Sequence, residues 1–503
     1  MPIQGSIPDR KAPVRGGSQD VTFVRADVRN AQSEWTEVQD CLSGEKAVKA
    51  KGATYLPVPD AELGGKTTDS RYKSYITRAV FYGVTNRTLQ GLVGQVFGRE
   101  TDIKFPSELE QLVNDVSGDG VGIEQQAKKT LEYVLAFGRA GILTDFPSTG
   151  RALSRADVLG GDFHPTIKLY RPENVINWRT RRYGAKVKLS LVVLKEQVDE
   201  NDDTAFETEV STVYRVLRLT EDETYTVTLY TEDPEARDEI EYVEGETITP
   251  TDSEGKAFDH IPFRFVGPEN NDPEIDPAPL APMASLNLAH YRNSADYEDS
   301  TFIAGQPTPV FAGLTEEWVN NVMKGKVYLG SRGGVMLPKG GTADLLQPTM
   351  NTMPKEAMDQ KEHQMVALGA KLVEDRSIRR TATEARQDEA SETSVLSSAT
   401  KNVNAAYNEG LQDAQKFAGG SGEITFKLNS DFDLTSMTPQ ERMQLVTEWQ
   451  SEAISFTEMR RGLRRGRIAF QDDDVAKAEI EENPPMTVPD PASQIPQQTP
   501  GEA

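Results

Sequence analysis

The stretch from 283 to 373 sets the tightest limit on what this chain can fold into. Residues 283–303, MASLNLAHYRNSADYEDSTFI, favour helix but scatter polar groups over every face, whereas a surface helix is held by one continuous apolar stripe. Such a helix seldom stands alone. Residues 308–347 then switch to short β runs, Thr308 to Phe311, Lys326 to Leu329 and Gly334 to Leu337, punctuated by Gly325, Gly330, Gly333, Gly340 and Gly341. Pro354 stands where a first helical turn would begin, and Met358, Met365, Leu368 and Leu372 mark one stripe of a second helix ending near Val373. The pattern predicts a small β-rich insert bracketed by two helices.

The flanks read more simply. From 70 to 98, Tyr75, Ala79, Tyr82, Leu89, Leu92, Val93 and Val96 recur at helical spacing and predict a helical pair. Residues 123–137 repeat the pattern, broken by Gly138 and Gly141, and Ile142 to Asp145 is a short strand ended by Pro147. Between 166 and 266 the period falls to two, as in Tyr225, Val227 and Leu229 against Thr226, Thr228 and Tyr230, which predicts an antiparallel meander. The run Val187 to Val193 alternates less cleanly, with one face too apolar. Five prolines between 267 and 282 mark an extended connector. After a charged break at 374–380, Thr381-Ala382-Thr383-Glu384 is a capping box that opens a long helix reaching Phe417. Its early part (Ser391, Thr393, Ser394, Ser397, Ser398, Thr400) is small and polar, suited to close packing between helices. A strand at Ile424 to Leu428 and a second capping box, Thr438-Pro439-Gln440-Glu441, lead into helices running to about 482. The fold class predicted is α+β.

Composition narrows the function classes. The 503 residues carry 79 acidic against 55 basic side chains, a net charge of −24, which argues against a surface that coats nucleic acid. At this length roughly three domains are expected. The first 20 residues and the proline-rich 484–503 lack apolar periodicity and read as tails. No window approaches a membrane span and the N-terminus has no signal-like core, so a soluble protein made inside the cell is expected. One cysteine, Cys41, excludes an intrachain disulfide, and four scattered histidines (His164, His260, His290, His363) give no metal pattern, so no metal or cofactor is expected.

Motifs that imitate catalysis fail on spacing. Gly65-Lys66-Thr67 resembles the end of a phosphate loop, but Asp60 stands where glycine is required. In Gly330-Ser331-Arg332-Gly333-Gly334 the serine is one position early for a nucleophile elbow. Glu362-His363 lacks a second histidine four residues on, and Asp472-Asp473-Asp474 precedes a helix whose dipole favours carboxylates. No catalytic residues are assigned, and the chain is not expected to be an enzyme. Two basic clusters remain: Arg376, Arg379, Arg380 and Arg386 around the charged break, and Arg460, Arg461, Arg464, Arg465 and Arg467 near the C-terminus. Ion pairing to the abundant carboxylates is the plain explanation for each, and loose phosphate contact the alternative.

The element order, with Tyr55-Leu56-Pro57, Gly138-Arg139-Ala140-Gly141-Ile142-Leu143-Thr144-Asp145-Phe146-Pro147, Leu286-Asn287-Leu288-Ala289-His290-Tyr291-Arg292-Asn293-Ser294-Ala295-Asp296, Pro307-Thr308-Pro309-Val310, Met365-Val366-Ala367-Leu368-Gly369-Ala370 and Thr381-Ala382-Thr383-Glu384-Ala385, resembles the portal proteins of tailed bacteriophages over about residues 20–485. The resemblance implies a disordered tail (1–20), a wing (21–270), a connector and first stem helix (271–307), a clip (308–348), a second stem helix (349–375), a tunnel loop (376–388), the long helix and return strand of the wing (389–436), a crown (437–485) and a second disordered tail (486–503). It further implies a homo-oligomeric ring, dodecameric in assembled virions, at one capsid vertex, with host cytoplasm as the place of assembly. Double-stranded DNA would pass through it without sequence specificity during packaging, retention and ejection. The implied partners are the terminase large subunit, the major capsid and scaffolding proteins and a head-tail adaptor, with no membrane. On this view identical neighbours bury the polar-sided helices, Arg376, Arg379, Arg380 and Arg386 are DNA-channel candidates, and the Arg460 cluster belongs to the crown. Two other readings stay open on sequence alone: another ring-forming virion protein, such as an adaptor or tail component, and a carboxylate-dependent hydrolase.

Overall fold

The computed structural model describes residues 20–59, 64–147, 163–199, 206, 208, 210–233, 241–306, 308–322, 336–346, 352–373, 394–430, 432, 439–465, 468–469, 471 and 473–482. The chain is α+β. In order come α1 (Ala26–Ser43), α2 (Glu45–Ala50), α3 (Ser70–Arg78), α4 (Val84–Phe97), β1 (Asp102–Lys104), α5 (Ile123–Phe137), β2 (Ala140–Asp145) and β3 (Thr166–Tyr170). Strands β4 (Val175–Tyr183), β5 (Lys186–Asp199), β6 (Val210–Leu219), β7 (Tyr225–Glu232), β8 (Tyr242–Ile248) and β9 (Phe263–Val266) follow. Then come α6 (Ala281–Ala304), β10 (Thr308–Ala312), α7 (Glu316–Asn321), β11 (Thr342–Leu346), α8 (Met353–Lys371), α9 (Val395–Ala418) and β12 (Thr425–Lys427). A separate C-terminal unit from 431 onward holds α10 (Pro439–Gln450), α11 (Phe456–Arg465) and α12 (Asp473–Glu482).

The meander read from the two-residue period is the antiparallel sheet β4-β5-β6-β7-β8. The untidy alternation of β5 has a physical cause, because this sheet is covered on both faces. Val192 and Leu194 enter the main core with Leu217, Tyr225 and Trp178, while Leu191 and Val193 enter a smaller core with Ile176, Tyr214 and Val216. A strand buried on both sides reads as a continuous apolar run. The main core also receives Trp35 and Val38 of α1, Tyr72 and Tyr75 of α3, Phe137 of α5, Phe263 and Phe265 of β9, and Leu288 and Tyr291 of α6.

The Gly138–Pro147 run closes α5 and forms β2, the centre of the sheet β3-β2-β9. Gly138 ends α5 at φ +71°, and a Cβ there would collide with the Asp276 carbonyl, so only glycine fits. Arg139 beside it is buried, its guanidinium 4.0 Å from the Trp178 ring and 3.7 Å from the Phe265 ring. Burial holds its pKa down to about 9. The long helix α9 lies on α5 and on this sheet; at Gly410 the carbonyl accepts the Thr144 hydroxyl at 3.1 Å, a close approach that a side chain would crowd.

Two expectations change. The long helix starts at Val395, where the Ser394 side chain accepts the Ser397 amide at 3.2 Å; the Thr381–Glu384 box lies outside the described residues. The small polar Ser394, Ser397 and Thr400 of its early part are buried, as close packing requires, with Ser397 donating to the Ser430 carbonyl at 2.8 Å and Thr400 to the Leu396 carbonyl at 2.7 Å. Within the insert, β10 forms as expected, but its partner is β11 at Thr342–Leu346, and Met336 and Leu337 lie in no strand. The insert also contains the short helix α7, capped by the Thr315 hydroxyl. Lys326 to Leu329, residues 1–19 and residues 483–503 fall outside the described residues.

Candidate functional site

The region that a ring-forming reading singles out runs from α6 through β10–β11 to α8 and α9. Helix α6 is anchored to its own subunit by the polar residues that break its apolar stripe. Asn287 accepts the Thr85 hydroxyl at 3.0 Å and donates to the Tyr82 carbonyl at 2.7 Å. Ser294 Oγ accepts the Val80 amide at 3.0 Å, Tyr75 donates to Asp296 at 2.6 Å, and Arg292 donates to the Tyr55 carbonyl at 3.0 Å. Asp299 binds both Arg78 and Arg71, the latter at 3.3 Å. Burial, and then the bond to Asp296, hold the Tyr75 hydroxyl far above its usual pKa. The buried Asn287, Ser294 and Asp299 are thus paired within the subunit, as buried polar groups must be.

Helix α8 is different. Met358, Met365 and Leu368 of the predicted stripe, and Leu372 just past its end, are among its less exposed residues, and within the helix only Met365 is buried. His290 of α6 approaches Glu362 at 3.3 Å, and Gly369 sits against Thr88 and Met283. Large apolar side chains are left in water along this region: Met353 (73% exposed), Val366 (71%), Leu346 (64%) and Leu345 (62%), together with Phe302, Ile303 and Val310. A two-stranded ribbon such as β10–β11 is itself marginal in water.

At the far end of α8, the Leu396 amide donates to the Leu372 carbonyl at 3.1 Å. The chain therefore leaves at Val373 and returns at Ser394 to one place. Arg376, Arg379, Arg380 and Arg386 belong to the intervening segment and lie outside the described residues. In the C-terminal unit Arg460 donates to the Gln471 carbonyl at 2.8 Å and stands 3.6 Å from Asp473, while Arg461 is exposed. Arg464 and Arg465 continue α11, and Arg467 is outside the described residues.

A charge network that sequence reasoning missed joins α9 to the strand before the connector. Asp413, 1% exposed, receives His260 at 3.1 Å, Arg264 at 2.6 Å and Lys416 at 3.0 Å. Burial pushes its pKa up, but these cations outweigh burial and hold the carboxylate far below its usual range. His260 has Asp259 on its other nitrogen at 2.8 Å. Burial opposes its charge, yet the two carboxylates raise its pKa above the ordinary value. A separation of 153 residues leaves no local signal for this pairing. Among the described residues no group of three or more His, Cys, Asp or Glu is placed to hold a metal, and no helix is long and apolar enough to cross a membrane.

Residues 279–418, from α6 to the end of α9, match a family described as a domain of unknown function (DUF4055). No curated protein matches the chain. Among solved structures, a chain from the neck of a native gene transfer agent particle, computed with C12 symmetry, is similar at 14% identity over 78% of this chain and 93% of that one, with a TM-score of 0.37. A chain of the native gene transfer agent virion is similar at 12% identity over 84% and 98%, also with a TM-score of 0.37. Likeness of this size carries no argument about function.

Proposed function

We propose that this chain is the portal subunit of a tailed-phage-type particle: copies form a ring at one capsid vertex through which double-stranded DNA is packaged, retained and ejected. The observation that carries the proposal is the region α6 to α9. A helix tied to the subunit core, a ribbon, a second helix with one buried residue and a segment whose flanking residues Leu372 and Leu396 meet follow in the stem, clip, stem and tunnel-loop order of the resembled family. The exposed Leu345, Leu346, Met353 and Val366 are the surface that neighbouring copies would cover, since apolar patches of this kind mark association sites. In this assignment the segment 374–393 faces the channel, α10 to α12 form the crown, and the insert docks the terminase and later the head-tail adaptor.

The chemistry of such a channel is non-adhesive. Each phosphate contact adds affinity by counterion release, so a channel lined with many of them would hold the duplex in place. A chain of net charge −24 repels DNA within about a Debye length, ~8 Å at physiological salt, which centres the duplex without binding it. Arg376, Arg379 and Arg380 then act as a sparse brake. Electron microscopy of the purified protein tests the proposal. A ring with a central hole wide enough for duplex DNA is expected; a stable monomer at high concentration overturns it.

A further inference from the structure

One cleft among the described residues is lined by none of the elements assigned to the channel. It is a cavity of about 940 Å³ between α5, β3, β5 and β6. Its cationic residues are Lys128, Lys129, Lys168, Lys195 and Arg215, against the carboxylates Asp119, Glu132 and Glu196. Excess positive charge in one concavity is unexpected in a chain of net charge −24.

The charges divide into spent and unspent ones. Arg215 is held by Glu196 at 2.8 Å and by Asp145 at 3.3 Å, and Tyr170 donates to the same Glu196 at 2.5 Å. Lys129 pairs with Glu132 at 2.8 Å. Asp119 accepts the Ser117 hydroxyl at 2.5 Å. Lys128, Lys168 and Lys195 make no direct ion pair or hydrogen bond among the described residues, although Lys168 is near enough to Glu196 to help keep that carboxylate ionised; Lys168 and Lys195 are half-buried and Lys128 is exposed. The three come from a helix and two strands, and strand and helix packing sets them around the same space. Glu196 is shared among Arg215, Tyr170 and Lys168, so the cations around this space outnumber the carboxylates that face them, and an anionic ligand would balance the excess.

We infer that this cleft binds a multiply charged phosphate, with Lys128, Lys168 and Lys195 as its ligands. Three separate lysines, each a compact point charge with three rotatable donors, are best met by a ligand that carries several negative charges on a tetrahedral array of oxygens, and the Arg215 fork that would grip a planar carboxylate or a phosphate bidentately is occupied. The volume falls within the range of small-ligand pockets, roughly 300–1,000 Å³. The phosphate has two possible sources, a free polyphosphate or nucleotide and the backbone of a nucleic acid. The site does not depend on the portal assignment.

Calorimetric titration of the full chain with inorganic tripolyphosphate and, separately, with a short DNA duplex tests this inference. At low salt, at least one probe binds, and the variant Lys128→Gln/Lys168→Gln/Lys195→Gln binds it at least about tenfold more weakly, as expected for the loss of charged hydrogen bonds. Dependence on these lysines for tripolyphosphate alone identifies a free phosphate; the same dependence for the duplex identifies the nucleic-acid backbone. Single Lys168→Gln and Lys195→Gln variants, with melting temperatures checked against the parent, give the same direction should the triple variant fold poorly. Binding of neither probe, unchanged affinity in the lysine variants, or tighter lysine-dependent binding of a polyglutamate peptide overturns the inference. None of these outcomes bears on whether rings form.

Discussion

The Leu396 amide donates to the Leu372 carbonyl at 3.1 Å, so that the end of α8 and the start of α9 meet although twenty residues, 374–393, lie between Val373 and Ser394. Both helices are anchored independently of that segment, α8 through Met365 and α9 through Leu396, Val403, Tyr407 and Leu411. Replacing 376–388 by a short glycine linker should therefore leave the melting temperature of the subunit unchanged, because closing a shorter loop costs no more entropy. A marked drop in melting temperature would show that the segment is part of the core. Replacing Arg376, Arg379 and Arg380 together by alanine should alter packaged genome length or retention; particles packaged and retained as before would count against their role as a brake.

Self-association should depend on the apolar residues left in water. Leu345→Asp with Val366→Glu should convert an oligomer to a monomer in sedimentation velocity. The stability of the monomer should change by no more than about 0.5 kcal/mol, the usual range for exposed positions. An unaltered oligomer would place the interface elsewhere.

Asp299 anchors α6 to α3 through Arg71 and Arg78. Asp299→Ala leaves the partly buried Arg78 without a counter-ion. Breaking a fully buried pair costs about 3–5 kcal/mol, and since Arg71 is half exposed the expected loss is about 2 kcal/mol, read by urea denaturation.

The Asp413 network predicts two limbs in stability against pH. His260 has a raised pKa in the folded chain, so its contribution is complete below the unfolded value of about 6.5 and fades as pH rises through the folded value. Asp413 has a depressed pKa, so its contribution is present above the unfolded value of about 3.9 and is lost as pH falls toward its folded value. Equilibrium denaturation across pH should show His260→Gln flattening the neutral-to-alkaline limb and also shrinking the acid limb, because His260 is among the cations that hold the Asp413 carboxylate ionised. Asp413→Asn should weaken both, because His260 loses its buried partner. A His260→Gln profile parallel to the parent would remove His260 from the network.

The local elements were legible from the chain itself. The two-residue alternation in 210–232, the helical spacing in 123–137 and Pro439 at the start of α10 each act through neighbours a few residues away, and each appears in the structure as read. Spacing alone separates Gly65-Lys66-Thr67 from a phosphate loop and Glu362-His363 from a zinc-protease motif. What no local pattern carries is partnership. Tertiary packing decided that β1 pairs with β12 across more than 300 residues, that β5 is covered on both faces, and that Asn287, Asp296 and Asp299 are spent inside one subunit. It also brought Lys128, Lys168 and Lys195 to one cleft. Period and capping follow from backbone geometry over one or two turns, whereas the burial of a polar side chain depends on which distant element arrives to pair with it.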